Sequence, residues 1–407
     1  MKLNSIVRLA YALACASLLQ SSAATAATET VLYSFKGGSD GANPTTGLTN
    51  VRGTLYGATP FGGVYQLCGG RGCGTVFSVA TSGAEKVVHS FGSGGDGSEP
   101  LTRLINVDGT LYGTTNDGGT YGVGTVFAIT NDDTELVLHS FGNGSDGQYP
   151  GERLIDVKGT FYGTTGRGGN LADCRNLAGA GCGTVFSITP EGTENVLYAF
   201  QGGSDGESPG GPLLSVKGTL YGMSGRSGSG CLGTGCGMVF SITSGGTENV
   251  LYAFDGNDGG GPNGGLIKFK SKLYGLTTGG GGPGCNGYGC GTMFSLTLTG
   301  TETVLYSFKG GSDGASPIGP LLNVNGTFYG TTGIGGAYNM GTVFSITPGG
   351  TETVLYSFKG GSDGAYPYAD LVSLDGRLYG TTNEGGTGTC MVYDINVGCG
   401  TVFAITP

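Results

Sequence analysis

The sequence predicts an all-β fold: a seven-bladed β-propeller with four antiparallel strands per blade, the ring closed by the N-terminal strand completing the last blade. Three observations predict it. Four short patterns recur seven times in fixed order, each pattern reads as a strand, and one copy is split between the two ends of the chain.

The recurrence is clearest in Val-Leu-Tyr-Ser-Phe and its variants, which end at Phe35, Phe91, Phe141, Phe200, Phe254, Phe308 and Phe358, spaced by 56, 50, 59, 54, 54 and 50 residues. We call this strand D. A Gly- and Asp-rich loop follows it, as in Lys309-Gly310-Gly311-Ser312-Asp313-Gly314. Strand A is the next apolar run, for example Leu321-Leu322-Asn323-Val324. Strand B is Leu-Tyr-Gly-Thr-Thr, with Tyr56, Tyr112, Tyr162, Tyr221, Tyr274, Tyr329 and Tyr379 at matching places. Strand C is Gly-Thr-Val-Phe-Ser-Ile-Thr, with Phe77, Phe127, Phe186, Phe240, Phe294, Phe344 and Phe403. The runs are short, rich in Val, Ile, Thr, Tyr and Phe, and bounded by Gly, Pro, Asp or Asn, which is strand composition.

The A-to-B turn is Asp108-Gly109, Asn325-Gly326 or Asp375-Gly376 in three copies and Arg52-Gly53, Lys158-Gly159 or Lys217-Gly218 in three others. Glycine at the second position suits the positive φ of a tight hairpin. Lys270-Ser271 lacks it, so a differently shaped turn is expected there. No part of the mature chain shows a helical period, and four strands per repeat of this length mean a propeller blade rather than a β-helix coil.

The chain ends at Ile405-Thr406-Pro407, where other copies continue as in Ile346 to Val354. Thr28 to Phe35 is the missing remainder. Blade seven therefore joins Leu371–Leu374, Leu378–Thr382 and Thr401–Thr406 to Thr30–Phe35, which closes the ring and spares it the unpaired strands that an open ring would leave.

Composition narrows the function classes. Gly and Pro (89 and 14 of 407 residues) make up about a quarter of the chain, yet 37% of residues are hydrophobic and only 12% charged, so there is a core to bury. The formal charge of −10 argues against nucleic acid, which selects a basic footprint. Lys2 and Arg8, the apolar run Leu9 to Leu19 and Ala24-Thr25-Ala26 read as a secretory signal peptide over residues 1–26, too short to span a membrane. A lipidated Cys15 is the rival reading, poorly supported by Ala12-Leu13-Ala14. One propeller domain is then expected over residues 27–407, exported to the cell surface, the periplasm or the medium.

The unit Leu-Tyr-Gly-Thr-Thr, Gly-Gly, Gly-Thr-Val-Phe-Ser-Ile-Thr-Pro, Val-Leu-Tyr-Ser-Phe, Gly-Gly-Ser-Asp-Gly resembles the GloVer tandem repeat of exported bacterial "choice-of-anchor" proteins. The resemblance covers essentially the whole mature chain. It implies bacterial export and, in many members, a C-terminal surface anchor; it implies no particular activity. The strand order with paired glycines after strand B also looks like kelch repeats. The chain has no Trp, so only the architecture carries over.

Apart from Cys15, the ten cysteines form five local pairs, Cys68/Cys73, Cys174/Cys182, Cys231/Cys236, Cys285/Cys290 and Cys390/Cys399, each within one B-to-C loop. In an exported chain such pairs read as disulfides. Each bridge is expected to tie only a surface loop. Zinc would need two blades to pool thiolates, since His89 and His139 both replace the strand-D Tyr. Seven aspartates, Asp40, Asp96, Asp146, Asp205, Asp258, Asp313 and Asp363, each precede Gly in the D-to-A loop. They read either as Ca²⁺ or cationic-ligand oxygens or, more simply, as turn residues accepting backbone N–H groups. Glu29, Glu85, Glu135, Glu194, Glu248, Glu302 and Glu352 open strand D and read as a charged outer edge.

With both His in strand positions, a Ser-His-Asp or Cys-His centre is not expected, and no catalytic residue is assigned. The B-to-C loops differ between copies, and Arg175, Tyr288 and Asp394 on them, with the aspartate ring, are the candidate binding face. Other off-repeat loop residues are Asp117, Asp173, Glu384, Arg71, Arg167, Arg226, Tyr65, Tyr121 and Tyr338. The expectation is a monomeric, non-enzymatic binding or structural propeller without cofactor or transmembrane segment, whose partner is a glycan or a surface protein. A carbohydrate-active enzyme, a glycoside hydrolase or lyase using loop carboxylates, is the alternative, and a self-assembling surface-layer component is a third class.

Overall fold

Each copy of the repeat forms its own antiparallel sheet of four strands, with strand A against the neighbouring A strands at the axis and strand D outermost; in blade five the A side is split into two short strands, Gly260–Pro262 and Ile267–Phe269, both paired with strand B. The structure is a computed structural model and describes residues 27–407 except 66–67, 93–94, 143–144, 170–173, 175–179, 228–230, 232–234 and 393–394. The expected signal segment, 1–26, lies outside the described residues. Blade one is Thr49–Val51, Thr54–Thr59, Thr75–Ala80 and Glu85–Ser90. Blade seven joins Val372–Leu374, Arg377–Thr382 and Thr401–Thr406 to Thr28–Ser34, with Thr28 opposite Thr406 and Ser34 opposite Thr401. The split copy thus closes the ring.

The A-to-B hairpins have positive φ at both central residues in six blades, as at Arg52 (52°) and Gly53 (90°), whereas in blade five only Lys270 (54°) does. Ser271 takes the shape open to a residue with a Cβ. Strand A is longer than expected in blades four and six, Glu207–Val216 and Ala315–Val324, pairing with the extended B strands Thr219–Arg226 and Thr327–Ile334. The ladder breaks between Gly210 and Leu214 and between Ile318 and Leu322. Pro212 and Pro320 fall in those breaks and have no N–H to donate. A small hairpin, Met391–Val392 with Ile395–Asn396, decorates the B-to-C loop of blade seven.

Blades are joined through phenylalanine. The strand-D Phe of each blade meets the strand-C Phe of the next edge-on, as Phe35 meets Phe77 at 4.9 Å and Phe358 meets Phe403 at 5.0 Å. These rings are buried, and such pairs add to the gain from burial alone. The strand-B glycine makes the space: a Cβ on Gly57, Gly113, Gly163, Gly275, Gly330 or Gly380 would lie 2.6 Å from the strand-C ring of its own blade, and on Gly222 2.4 Å. This explains the Gly of Leu-Tyr-Gly-Thr-Thr, a residue otherwise weak in strands.

All five cysteine pairs are disulfides: Cys68–Cys73, Cys174–Cys182, Cys231–Cys236, Cys285–Cys290 and Cys390–Cys399. The expectation that they tie only surface loops is corrected by their burial. Cys236 and Cys399 are 0% exposed, and Cys73, Cys182 and Cys290 are equally enclosed. Cys236 belongs to the core between blades four and five, in one cluster with Val239, Phe254, Leu266 and Phe294, and its partner Cys231 packs against that cluster. The reason is position. The second cysteine of each pair directly precedes the glycine that leads into strand C, where the chain has already turned inward.

Each bridge lies under a glycine of the D-to-A loop, as Cys390 and Cys399 lie 3.0 and 3.2 Å from where a Gly37 Cβ would sit, and Cys231 and Cys236 3.2 and 3.5 Å from that of Gly256. In the blades without cysteine, Val123 and Met340 occupy the same place, against Gly142 and Gly360. The carbonyls of Cys399, Cys73, Cys182, Cys236 and Cys290 also accept the N–H of the residue before the strand-A proline of the next blade, at 2.8–2.9 Å. The bridges therefore brace blade junctions as well as their own loops.

The outer rim carries a repeated carboxyl pair. Each D-to-A aspartate accepts from the strand-D side chain seven or six residues earlier: Tyr33 to Asp40 at 2.8 Å, His139 to Asp146 at 3.0 Å, Tyr306 to Asp313 at 2.6 Å. It also accepts the main-chain N–H at the start of its loop, as from Lys36 at 3.0 Å and Lys359 at 2.7 Å. The strand-D glutamate of the next blade sits beside it. This glutamate ring is not the solvated edge expected from sequence: in all seven copies the Oε1 atom is buried and has no hydrogen-bond partner among the described residues. Burial, reinforced in most copies by the neighbouring aspartate, pushes Glu29, Glu135, Glu194, Glu248, Glu302 and Glu352 up to about 7, and Glu85 in the same direction.

Three outcomes are expected. Gly163→Ala should destabilise by about 1–3 kcal/mol through overpacking against Phe186, read by urea denaturation; an unchanged midpoint would show that the ring has room to move. Removal of Thr28–Phe35 should strip blade seven of its outer strand and give aggregation and a much lower melting temperature, checked by thermal melts with light scattering. The rim glutamates hold protons more tightly folded than unfolded, where they titrate near 4.5. Their contribution is complete below that pH and lost as pH rises through about 7, so melting temperature should fall between about pH 5 and about pH 8. Glu302→Gln should weaken that dependence.

Candidate functional site

Because the four strands alternate in direction, the D-to-A and B-to-C loops open on one face and the A-to-B and C-to-D turns on the other. The first face therefore carries every candidate residue except those of the strands. Tyr288, in the blade-five loop, is 67% exposed and stands with Arg226 and Asp255 along a groove of about 800 Å³ between blades four and five. Cys231 reaches the wall of that groove, whereas Cys236 lies beneath it in the core, so the bridge supports this part of the face and offers it no thiol. Arg175, Asp394 and Asp173 lie outside the described residues. The seven aspartates of the candidate face are at the rim, engaged by strand-D Tyr or His and by main-chain N–H groups. Among the described residues no three His, Cys, Asp or Glu side chains converge as a metal site would require.

Arg71 lies over the Phe61 ring (5.4 Å) and Arg167 over Tyr149 (5.5 Å). Asp117 accepts from the Asn116 amide at 3.1 Å, with Glu99 beside it, its carboxyl pushed up first by burial and then by Asp117. Asp117, Tyr149 and Arg167 line a groove of about 560 Å³ that runs inward to Gly151 and Glu152. Glu384 has its carboxyl pushed up by burial.

At its inner end this groove meets a feature that sequence reasoning missed. Between the proline that follows each Asp-Gly loop and the first Leu of strand A lie three residues, and in the seven blades these tripeptides are all different: Thr45-Thr46-Gly47, Leu101-Thr102-Arg103, Gly151-Glu152-Arg153, Gly210-Gly211-Pro212, Asn263-Gly264-Gly265, Ile318-Gly319-Pro320 and Tyr368-Ala369-Asp370. They converge on the propeller axis and line a pocket of about 150 Å³. The glycines let chain meet chain there. A Cβ on Gly264 would fall 2.5 Å from the Gly319 carbonyl oxygen, and one on Gly211 2.4 Å from the Gly265 nitrogen.

The charges in the pocket come from blades two, three and seven. Arg103 Nη1 donates to the Asp370 carboxylate, and Arg103 Nε donates to Thr49 Oγ1 at 3.3 Å. Arg153 Nη1 stands 3.6 Å from the same Asp370 oxygen. Gly47 is obligatory beside them, since a Cβ would overlap Asp370 Oδ1 at 1.7 Å. Glu152 is surrounded by protein although a solvent-sized path reaches it; burial pushes its carboxyl up to about 7, partly offset by a main-chain hydrogen bond from Gly211 and by Arg153. Burial also lowers the pKa of the Arg153 guanidinium, with Asp370 acting against it. Tyr368, half-buried and stacked on Tyr366 with ring centroids 6.0 Å apart, closes one wall. Such a pocket offers a guanidinium fork, a carboxyl able to donate or accept, and an aromatic face. The sequence signal was available: the Pro-to-Leu spacing is constant in all seven copies, so a charged residue inside it stands out against copies that hold Gly or Pro.

Solved structures similar to this chain share its fold. A streptogramin B lyase aligns at 12% identity over 93% of this chain and 97% of the other, with a TM-score of 0.57. The oligogalacturonate lyase of Vibrio parahaemolyticus aligns at 9% identity over 94% of both chains, also at 0.57. A Mycobacterium tuberculosis puromycin-hydrolysing peptidase aligns at 12% over 86% of this chain and 53% of its own, at 0.52. At such identities the likeness is one of fold. A comparison with curated proteins returned no match. The profile of the Gloeobacter/Verrucomicrobia repeat matches residues 18–236 and 233–407, and the chain belongs to that repeat family.

Proposed function

We propose that the protein is an exported binding propeller without catalytic turnover, which holds a glycan or a cell-surface protein on the loop face, centred on the axial pocket. One observation carries this. Strands and turns are near-copies from blade to blade, whereas the residues that differ are the axial tripeptides and the B-to-C loops, and all of them open on the same face. A ring that only supported itself would solve each of those positions once and repeat the answer, as it does for the Asp-Gly turn. A rigid scaffold presenting variable loops is the usual arrangement for recognition. Disulfides under those loops reduce the ordering lost on binding and, with the leader-like residues 1–26, support export to an oxidising compartment.

The enzymatic reading draws on Glu152, a carboxyl whose pKa of about 7 suits a general acid. It needs a second carboxylate free to act. Asp370 is committed to Arg103 and Arg153, which favours recognition over cleavage.

The decisive experiment screens purified protein against soluble polysaccharides and follows both binding and reducing-end release. Binding with no release over long incubation is expected. Release of new reducing ends, abolished by Glu152→Gln, would replace this reading with the hydrolase or lyase.

A further inference from the structure

The axial pocket holds one positive charge that its own side chains leave poorly matched. Arg103 has its charge matched by Asp370, to which Nη1 donates, and its Nε held by Thr49. Arg153 is enclosed by the strand-A entries of several blades, and the one ion pair it forms among the described residues is the 3.6 Å approach to an oxygen that Arg103 already holds. Arg103, Arg153 and Asp370 together leave one net positive charge, cancelled only when Glu152 ionises. The Arg153 guanidinium, whose side chain is 28% exposed, has most of its N–H groups without a protein acceptor among the described residues and has the planar fork that carboxylates fill.

The rest of the pocket says what the carboxylate is attached to. At about 150 Å³ it admits a single ring-sized molecule, not a chain. Tyr368 forms part of one wall; the remainder mixes polar groups, the Asn263 amide and main chain at Gly47, Gly264 and Gly319, with short apolar surface from Leu101, Pro212, Ile318 and Pro320, which suits a ring that carries hydroxyls on an apolar frame. A dianion such as phosphate fits poorly, because only one positive charge is unmatched and two carboxyl groups stand beside it.

We infer that the axial pocket is a binding site for a polyhydroxylated monocarboxylate, a single sugar acid, with its carboxylate on Arg153 and its ring against Tyr368. This rests on the binding function proposed above and gives it a ligand class. Proton uptake accompanies binding. Glu152 is half-protonated near neutral pH, and an anion placed beside it raises its proton affinity further. The protonated carboxyl then donates a hydrogen bond to the ligand. Affinity is therefore complete at pH values where Glu152 is already protonated and falls as pH rises beyond about 7, by up to ~tenfold per pH unit. The charged and titratable groups facing Glu152 are Arg103, Arg153, Tyr368 and Asp370 from the axis and Asp117, Tyr149 and Arg167 from the groove.

Isothermal titration of the full-length protein with D-glucuronate, D-glucose and inorganic phosphate tests this, at about pH 6 and about pH 8 in buffers of different ionisation enthalpy. Glucuronate should bind at least about tenfold more tightly than either glucose or phosphate, with up to one proton taken up at the higher pH. Arg153→Gln should lose at least about tenfold in affinity and Arg153→Lys less, because Lys keeps the charge but not the fork. Glu152→Gln should bind at both pH values with no proton uptake. Unchanged melting temperatures in these variants separate loss of the site from loss of the fold. Glucose binding as well as glucuronate, phosphate binding more tightly, an unaffected Arg153→Gln, or no glucuronate binding would each overturn the assignment. The wider binding function fails on a different result, the release of reducing ends from polysaccharide, so the two failures are distinguishable.

Discussion

The contact on which the ring depends is the edge-on meeting of a strand-D phenylalanine with the strand-C phenylalanine of the next blade. It is repeated at every junction. It sets the distance between sheets, and it dictates glycine on strand B because the ring needs the volume of a Cβ. Dense packing transmits such a demand to the backbone. The disulfides, Val123 and Met340 do related work nearer the loop face, filling the space under each D-to-A loop. The blades are thus held by two layers of contacts, an aromatic one at mid-height and a sulfur or aliphatic one above it.

Fold was legible because each blade states it again. A strand pattern that is ambiguous once is not ambiguous when Val-Leu-Tyr-Ser-Phe returns in the same order in every copy, and the split copy at the termini fixed how the ring closes. Thr28–Ser34 pairs with Thr401–Thr406 as that split requires. The cysteine pairs were legible for the same reason, since each falls inside one loop, but their depth was not: Cys236 shares a core cluster with Phe294 of the next blade, which the order of residues does not show. The reading failed where chemistry depends on what meets between blades. Nothing in the order of residues says that Glu85 lies beside Asp40, or that Glu302 lies beside Asp258, and so the strand-D glutamates looked like solvated edge charges. Arg103 and Asp370 are 267 positions apart and touch only because the ring brings strand A of blades two and seven to the axis. Their neighbours in sequence, Thr102 and Ala369, carry no hint of it.

The axial site also shows how function enters a symmetric scaffold. Rotational repetition gives every blade the same turn chemistry, so the rim repeats one Asp–Tyr or Asp–His hydrogen bond around the molecule. At the axis the blades meet each other rather than solvent, and identical residues would place like charges or bulky groups in mutual conflict. Three blades supply the charges and the others supply mostly Gly, Pro or Thr, with Asn263 and Ile318 the exceptions, which is an arrangement that fits a small pocket. Asymmetry there is required by crowding before it is useful for recognition.

Closure by the first strand has a consequence for the order of events in folding. The segment Thr28–Ser34 is the earliest described part of the chain to be synthesised, yet its partner, Thr401–Thr406, is the last. Internal blades complete themselves from nearby sequence, so they form with modest loop entropy. The final blade joins opposite ends of the chain and bears the largest closure cost. The circle therefore cannot be sealed until Thr401–Thr406 has emerged, and until then the strand that completes the last blade, although made first, has no partner.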